Sequence, residues 1–197
     1  MMTSGQHSVG FAIHKRFAHL IKTARGVSDT DGRIMLIDIL LYNNNQATTI
    51  ICSYFPYNTS SATVRRKFYS HLDKLVTCNI WLIGDINAWV GQRISSSDIA
   101  FGGLNSSVGP WSLKGDNTPN DNGCAILAIA SQNKLIHVGI HYNACDAKRW
   151  TWPYPRYSVR VVLDHLFIPA SHMRFVSCCF MLSYVNWVSD QRPDRNL

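Results

Sequence analysis

Apolar residues along the chain occur in short stretches separated by Gly, Asn, Asp and Pro, and two longer windows carry them at every third or fourth position. Short apolar or alternating stretches predict β-strands, whereas the wider spacing predicts helices. A strand that precedes the proline of SYFPYN should end near residue 54, because proline has no N–H for a sheet hydrogen bond. The predicted strands cover residues 9–13, 33–42, 48–54, 79–83, 136–140, 159–168 and 174–180.

Two helices are predicted between these strands. Ser60 or Ser61 can cap the first, because a serine hydroxyl accepts a hydrogen bond from a free N–H of the first helical turn. Asn122 is the expected cap of the second helix, over residues 123–132. Strands that alternate with helices predict a domain of the α/β class. The residues expected on the buried helix faces are Val64, Phe68, Leu72, Leu75 and Val76 in the first helix, and Ile126, Leu127 and Ile129 in the second.

The length of the chain favours one domain over residues 1–197, since a domain typically holds about 100–200 residues. Residues 91–121 are rich in Gly, Ser and Asn and predict a long loop. No apolar stretch is long enough to cross a bilayer, and the first residues lack the pattern of a secretory signal. We therefore expect an intracellular protein without a membrane partner.

The composition adds two facts. Nineteen Lys and Arg against twelve acidic residues give a net charge of +7 and a pI near 9.2. A basic domain attracts polyanions, nucleic acid above all, although an ordinary basic surface explains the charge almost equally well. All twelve acidic residues are aspartate, so no mechanism that requires a glutamate ligand or base can operate on this polypeptide.

The six cysteines form no CxxC pair. Cys124, His137 and His141 match the second half of a zinc-finger pattern, but no cysteine pair precedes them. A structural zinc site normally needs four ligands, so we interpret the match as coincidence and the cysteines as reduced.

Polar residues follow three apolar stretches. Asp85 and Asn87 in GDIN should project to one side, where they can hold a water, a metal ion or a phosphate, or simply close an Asx turn. Asp164 lies within an apolar strand and needs a dedicated partner, while the adjacent His165 should face the opposite side. Asp190 lies in a third polar segment, which alone is an ordinary turn.

The chain carries, in this order, SYFPYN, GDINAWVG, RWTWP, LDHLFIP and VSDQRP. These resemble the successive motifs of the endonuclease/exonuclease/phosphatase superfamily. Within it the chain looks most like the endonuclease domains of LINE-type retrotransposons and the craniofacial development protein 2-like proteins derived from them. The linking segments HSVGFAIHKR, GRIMLIDILL and NDNGCAILAIA are similar too, so the resemblance covers nearly the whole chain. It implies a four-layered α/β sandwich of two packed β-sheets flanked by helices.

The resemblance also implies hydrolysis of phosphodiester bonds assisted by Mg²⁺. Asp85 would position and deprotonate the attacking water, and Asn87 would donate to the phosphoryl oxygens. Tyr54 and Thr151 would contact the phosphate.

Three departures from the family's pattern predict a degenerate or truncated enzyme. Asp164 would orient a histidine that supplies positive charge at the phosphate, but Gln191 stands where that histidine is expected. Asp190 would bind the metal ion, yet the family's first strand with its active-site Asn, and the following metal-binding Glu, are missing from the N-terminus. No glutamate elsewhere can replace that ligand. We therefore expect weakened Mg²⁺ binding and a pseudoenzyme, since a general acid or base typically contributes ~10²–10⁴-fold.

Residues 145–160 interleave basic and aromatic side chains and predict a twisted hairpin. Basic residues neutralise phosphates, and aromatic faces stack on bases. We therefore expect nucleic-acid contacts from Lys148, Arg149, Trp152 and Arg156. The alternative is a hairpin whose aromatic residues pack on the core.

Three hypotheses about function remain open on the sequence. The first is a metal-dependent DNA endonuclease fragment, the second a non-catalytic nucleic-acid-binding remnant, and the third a retroelement remnant without function. For either of the first two we expect a monomer that binds DNA, with a nuclear location if it acts there.

Overall fold

The structure, a computed structural model, describes residues 8–40, 47–91, 118–143, 145, 148–154 and 159–179. Its two α-helices within these ranges are α1 (Ala62–Leu75) and α2 (Asp121–Gln132). The strands there are β1 (Ile21–Gly26), β2 (Ile34–Leu40), β3 (Ala47–Tyr54), β4 (Ile80–Asp85), β5 (Leu135–His137), β6 (Trp152–Tyr154), β7 (Val159–Val161) and β8 (Asp164–Pro169).

Six of the strands form a mixed sheet in the order β1-β2-β3-β4-β8-β5, and β6 and β7 form a separate two-stranded hairpin. β3 and β4 are parallel, whereas every other pairing in these sheets is antiparallel. α1 is the crossover that a parallel pair requires, and it brings the carboxyl ends of β3 and β4 to one edge of the sheet. The predicted α/β class is confirmed.

The core lies between the helices and one face of the six-stranded sheet. Ile51 of β3 and Leu82 of β4 are fully buried there, against Phe68 and Leu72 of α1 and Leu127 of α2. These residues occupy the helical and alternating positions that the sequence pattern assigns to the interior, whereas Val64, expected on the same helix face, is exposed. Neither described helix is long and apolar enough to cross a membrane.

The two helix caps differ in how well the sequence predicted them. Ser61 caps α1 by accepting a hydrogen bond from the N–H of Val64, as one of the two predicted alternatives required. The cap predicted for α2 is wrong, because Asn120 and not Asn122 accepts from the N–H of Gly123, at 2.8 Å. Asn122 lies within the first helical turn, where its side chain is buried and bonded to neighbouring loops.

The prediction near the N-terminus is also wrong. Residues 9–13 form no strand, although Val9 donates its N–H to the carbonyl of Gly32. The strand of this region is β1, further along the chain, which the sequence pattern did not reveal. β1 lies at the edge of the sheet and all its residues after Ile21 are exposed, so it lacks the apolar alternation that predicts a half-buried strand.

The C-terminal predictions hold only in part. The strand predicted at 136–140 ends at His137 and gives way to a 3-10 turn, and the one predicted at 159–168 is divided into β7 and β8, which belong to different sheets. The division follows from two backbone N–H groups, of Leu163 and Asp164, that donate to the hydroxyl of Thr151 instead of to a strand. No strand covers 174–179, because Ala170–Phe175 is a 3-10 helix; residue 180 and residues 92–117 of the predicted loop lie outside the described ranges.

Candidate active site

Tyr54, Asp85 and Asp164 form one row across three adjacent strands. In the parallel pair of β3 and β4, Tyr54 is aligned with Asp85. In the antiparallel pair of β4 and β8, Asp85 is aligned with Asp164. Residues aligned across neighbouring strands lie on the same face of a sheet, at typical Cα separations of about 4.5–5.5 Å. Each member is the first or last residue of its strand, so the row lies at the edge of the sheet.

Gly84 makes this alignment sterically possible. Its φ is +142°, and a Cβ added at this position would lie 1.9 Å from the carbonyl oxygen of Ser53 on the neighbouring strand. Only glycine allows the two backbones to approach so closely. The glycine of GDIN therefore sets the position of Asp85.

Asn87 connects the loops that follow β3 and β4. Its N–H donates to Oδ1 of Asp85 at 2.9 Å. This bond closes an Asx turn, one of the alternatives that the sequence allowed for these two residues. Its φ of +48° is a left-handed conformation that Asn tolerates better than most residues. Its side-chain Nδ2 donates to the carbonyl of Phe55 at 2.9 Å. Asn87 is thus held beside the row by bonds to both loops.

Tyr54 is the hydrogen-bond donor among the three residues of the row. Its hydroxyl donates to that of Tyr57 at 2.8 Å, and the guanidinium carbon of Arg33 lies 5.3 Å from the centre of its ring. Burial raises the pKa of Tyr54 above its usual range, and the bond to Tyr57 and the negative charge of Asp85 raise this pKa further. The Tyr54 hydroxyl is therefore protonated at physiological pH and serves as a hydrogen-bond donor.

Thr151 lies next to the row but faces the interior. Only 2% of Thr151 is exposed, and its Oγ1 accepts from the N–H groups of Leu163 at 2.9 Å and Asp164 at 3.2 Å. Its own N–H donates to the carbonyl of Val161. Thr151 thus ties the β6–β7 hairpin to the first residue of β8.

Two of the basic residues expected to bind nucleic acid lie before the hairpin. Lys148 is exposed. Arg149 is half-buried, and its guanidinium donates to the carbonyls of Gly139 and Tyr142 at 3.3–3.4 Å. The charge of Arg149 therefore lies against the protein's own backbone.

The aromatic residues of the same segment are packed to different degrees. Trp152 is half-buried, and only 8% of Trp150 is exposed, with the guanidinium carbon of Arg160 4.9 Å from its ring centre. Trp150 is therefore packed on the core, as in the alternative interpretation of residues 145–160, in which the aromatic residues do not bind nucleic acid. Arg156, Asp190 and Gln191 lie outside the described residues.

His165 faces the core, opposite to Asp164, as the strand alternation predicts. Its Nε2 donates to the carbonyl of Ala88 at 3.0 Å, so its Nδ1 accepts from Nε2 of His137 at 2.7 Å. Burial lowers the pKa of His165 to about 4 and lowers the pKa of His137 well below its usual value. Both imidazoles are therefore neutral at physiological pH, and the pair supports the loop that follows β4.

Cys124, His137 and His141 do not form a ligand set. Cys124 is exposed, whereas His137 is buried with its Nε2 bonded to His165.

The first turn of α2, which the sequence pattern did not indicate as part of the site, clamps both loops there. Asn122 is fully buried, and its Nδ2 donates to the carbonyls of Pro56 at 2.9 Å and Asn87 at 3.1 Å. A Cβ added at Gly123 would lie 1.9 Å from the carbonyl oxygen of Trp89. The sequence NDNG places two amide side chains and a glycine at the start of the helix, which is a signal of close contacts there. Helix capping accounts for these residues equally well, so the pattern did not reveal the clamp.

No family model matches the chain, and no curated protein matches it. Among solved structures, it matches the endonuclease domain of TRAS1, a telomere-specific non-LTR retrotransposon, with a TM-score of 0.43 and 13% sequence identity. The match covers 80% of this chain and 58% of that one, so the chain spans less than two thirds of its length. This likeness is too weak to support a conclusion about activity.

Proposed function

We propose that the chain is a degenerate, retrotransposon-derived phosphodiesterase domain of the endonuclease/exonuclease/phosphatase type, which binds nucleic acid and no longer hydrolyses it appreciably. The observation that carries the proposal is the row of Tyr54, Asp85 and Asp164 at one edge of the sheet, with Asn87 bonded to Asp85. A donor, two carboxylates and an amide at one edge are the groups that phosphodiester chemistry needs.

Each group has a role that its environment permits. The protonated hydroxyl of Tyr54 would turn from Tyr57 and donate its one hydrogen to a phosphate oxygen, and the carboxylate of Asp85 would accept a proton from the attacking water. The amide of Asn87 donates to the carbonyl of Phe55, and the side chain also hydrogen-bonds the hydroxyl of Tyr54; it would exchange this second bond for one to a phosphoryl oxygen.

The described part of the site supplies no cationic histidine. His165 is adjacent to Asp164, but it is buried, neutral and directed to the opposite face of the sheet. Gln191 stands where the resemblance places a histidine, and a glutamine amide carries no charge. Hydrolysis should therefore be weaker by the ~10²–10⁴-fold that a general acid or base provides.

Mg²⁺ would be held by Asp190 in this proposal, with Asp85 as a further oxygen ligand. No group of three or more His, Cys or acidic side chains in the described ranges could hold a metal ion. Mg²⁺ keeps several waters and uses one or two carboxylates with substrate phosphates, so Asp190 and Asp85 would hold the ion only weakly. When bound, the ion would neutralise charge on the phosphate.

The net charge of +7 supports a polyanionic partner, which we propose to be DNA, bound by a monomer in the nucleus. The second candidate function is a non-catalytic nucleic-acid-binding remnant. The inward orientation of His165 favours it, because the histidine next to Asp164 in the sequence is directed away from the row of Tyr54, Asp85 and Asp164.

Two measurements on the purified chain test the proposal. Labelled DNA is titrated at about 50 mM and about 200 mM salt, and supercoiled plasmid is incubated with Mg²⁺. We expect binding that weakens steeply with salt and no appreciable nicking. Absence of binding at low salt would contradict the nucleic-acid partner. Nicking that Asp85→Ala abolishes and the exposed helix variant Asp73→Ala retains would contradict the loss of activity.

A further inference from the structure

Two aromatic side chains near the row are exposed to solvent. Tyr57 is 49% exposed and Trp89 is 45% exposed. Tyr57 belongs to the loop after β3, and Trp89 to the loop after β4, so both extend from the edge that carries the Tyr54–Asp85–Asp164 row. A single exposed ring is common on protein surfaces, but these two rings lie on the two loops that follow the strands of Tyr54 and Asp85.

Tyr57 is in direct contact with the row. Its hydroxyl accepts a hydrogen bond from Tyr54 at 2.8 Å, and the two ring centres are 6.2 Å apart in an edge-to-face arrangement. The ring of Tyr54, which belongs to the row, is therefore in direct contact with the exposed ring of Tyr57.

Trp89 is directed outward together with the site residues of its own loop. Burial alternates along this segment: Ile86, Ala88 and Val90 are almost completely buried, whereas Asn87 is half-buried and Trp89 is exposed. The indole of Trp89 therefore projects away from the core into solvent, two residues after Asn87 in the same loop.

The backbone that carries both rings is fixed. One side-chain nitrogen, Nδ2 of Asn122, contacts the carbonyl before Tyr57 and the carbonyl of Asn87. The N–H of Trp89 donates to Oδ1 of Asn120 at 3.2 Å, and its carbonyl accepts from the N–H of Asn120 at 3.2 Å. Rings on a fixed backbone lose little conformational entropy on binding, which favours their use as contacts.

From these observations, and resting on the proposed function above, we infer that Tyr57 and Trp89 stack on unpaired nucleobases on either side of the phosphate at the Tyr54–Asp85–Asp164 row. Aromatic faces accept any base, because every base has a π-face. A duplex keeps its bases stacked on each other, so these two rings favour a single strand. The guanidinium of Arg33, next to the Tyr54 ring, supplies a positive charge for the same strand.

The test compares a labelled single-stranded oligothymidine with a blunt duplex hairpin of equal length, at one fixed low salt concentration. Trp89→Ala and Tyr57→Ala should each weaken binding of the single strand about tenfold and change duplex binding little, in keeping with ~1–3 kcal/mol per stacked base. Trp89→Phe and Tyr57→Phe keep a ring and should retain most of the affinity.

Phe17→Ala is the matched control, because Phe17 is 40% exposed but lies in the 3-10 helix before β1. It should leave both affinities unchanged. The Trp89 and Phe17 variants alter exposed side chains, so their thermal unfolding should match that of the parent chain. The Tyr57 variants also remove the acceptor of the Tyr54 hydroxyl, so their thermal unfolding is measured beside their binding, and Tyr57→Phe separates the loss of this bond from the loss of the ring.

The outcomes separate the two proposals. If the parent chain binds neither the single strand nor the duplex, the proposed function fails and this inference fails with it. If the parent binds, but the alanine variants bind the single strand as tightly as the parent or lose both ligands equally, the inference alone is overturned.

Discussion

Asp85 and Asp164 are aligned opposite each other where β4 and β8 pair, so two carboxylate side chains share one position at the edge of the sheet. Like charges directly opposite in a sheet are destabilising by a few tenths of a kcal/mol to about 1 kcal/mol. An arrangement that opposes folding stability is typical of a site that a ligand or substrate uses.

The first prediction concerns this carboxylate pair. Asp85→Asn removes one of the two facing charges and keeps an oxygen that can accept from the N–H of Asn87. We therefore expect the free energy of unfolding at pH 7 and low salt to rise by ~0.2–1 kcal/mol. Urea titration measures it, and repeating the titration near pH 3, where carboxyl groups are largely protonated, provides the control. A loss of stability at pH 7 would contradict the repulsion.

The second prediction is a loss of stability in mild acid, caused by the buried pair His137 and His165. The pKa of His165 is lowered from 6.5 to about 4 in the folded protein, and that of His137 is lowered too. Between pH 6.5 and about pH 4 the unfolded chain binds more protons than the folded chain. The free energy of unfolding therefore falls as the pH drops below about 6.5 and continues to fall to about pH 4. For His165 alone the loss approaches about 3 kcal/mol.

Denaturant unfolding at several pH values measures this loss. His165→Gln cannot become charged and should give a flatter dependence between pH 6.5 and 4, whatever its stability at pH 7. His19→Gln, at an exposed position, should keep the slope of the parent. Equal slopes for the parent and His165→Gln would contradict the role of the pair.

The third prediction concerns Gly84. Gly84→Ala places a methyl group against the carbonyl of Ser53 at a φ of +142°, so the strands that carry Tyr54 and Asp85 must separate. We expect a loss of at least about 2 kcal/mol in unfolding free energy. Gly26→Ala is the matched control, because nothing lies within 4 Å of an added Cβ there, and it should change stability by less than about 1 kcal/mol.

The fourth prediction concerns Asn122. Asn122→Ala removes the buried donor of the Pro56 carbonyl, at about 1–3 kcal/mol for an unsatisfied group, and leaves the carbonyl of Asn87 only the longer bond from Nδ2 of Asn120 at 3.4 Å. Hydrogen exchange should accelerate in the loops after β3 and β4. Asn133→Ala, which removes an amide bonded to a single carbonyl at the other end of α2, should leave those loops protected. Acceleration spread evenly over the molecule would contradict a local clamp.

The fifth prediction concerns restoration of activity. Under the proposed function, Gln191→His alone should not produce nicking of plasmid DNA with Mg²⁺, because the chain contains no glutamate to serve as the metal ligand that the resemblance implies. Gln191→His combined with a family-type N-terminal extension, which carries the Asn strand and the Glu segment, should nick. Groups that act as one unit are strongly non-additive, so repairing one recovers little. Nicking by the unmodified chain would show that the Glu and His are dispensable.

The local sequence pattern was sufficient to predict an element where that element is amphipathic or has a clear start or end signal, such as a capping serine or a proline. β3 ends before Pro56 and α1 begins after Ser61, as their sequences predict. Each of these features depends on neighbouring residues alone, namely a missing N–H or a hydroxyl within reach of the next helical turn.

Local pattern failed where long-range pairing decides. β1 is a polar edge strand that exists because β2 offers it a full set of backbone partners. Residues 159–168 have a continuous apolar pattern, yet the hydroxyl of Thr151, eight or more positions away, divides them between two sheets.

The sequence by itself determined that Tyr54 and Asp85 lie at strand ends and that His165 faces away from Asp164, because strand alternation and the proline and glycine positions are local properties. Only the tertiary structure decided that Tyr54, Asp85 and Asp164 share one row, and that Asn122 holds the loops beside it. The order β3-β4-β8 and its register arise from core packing and hydrogen bonds between segments about 80 positions apart, which no local pattern encodes.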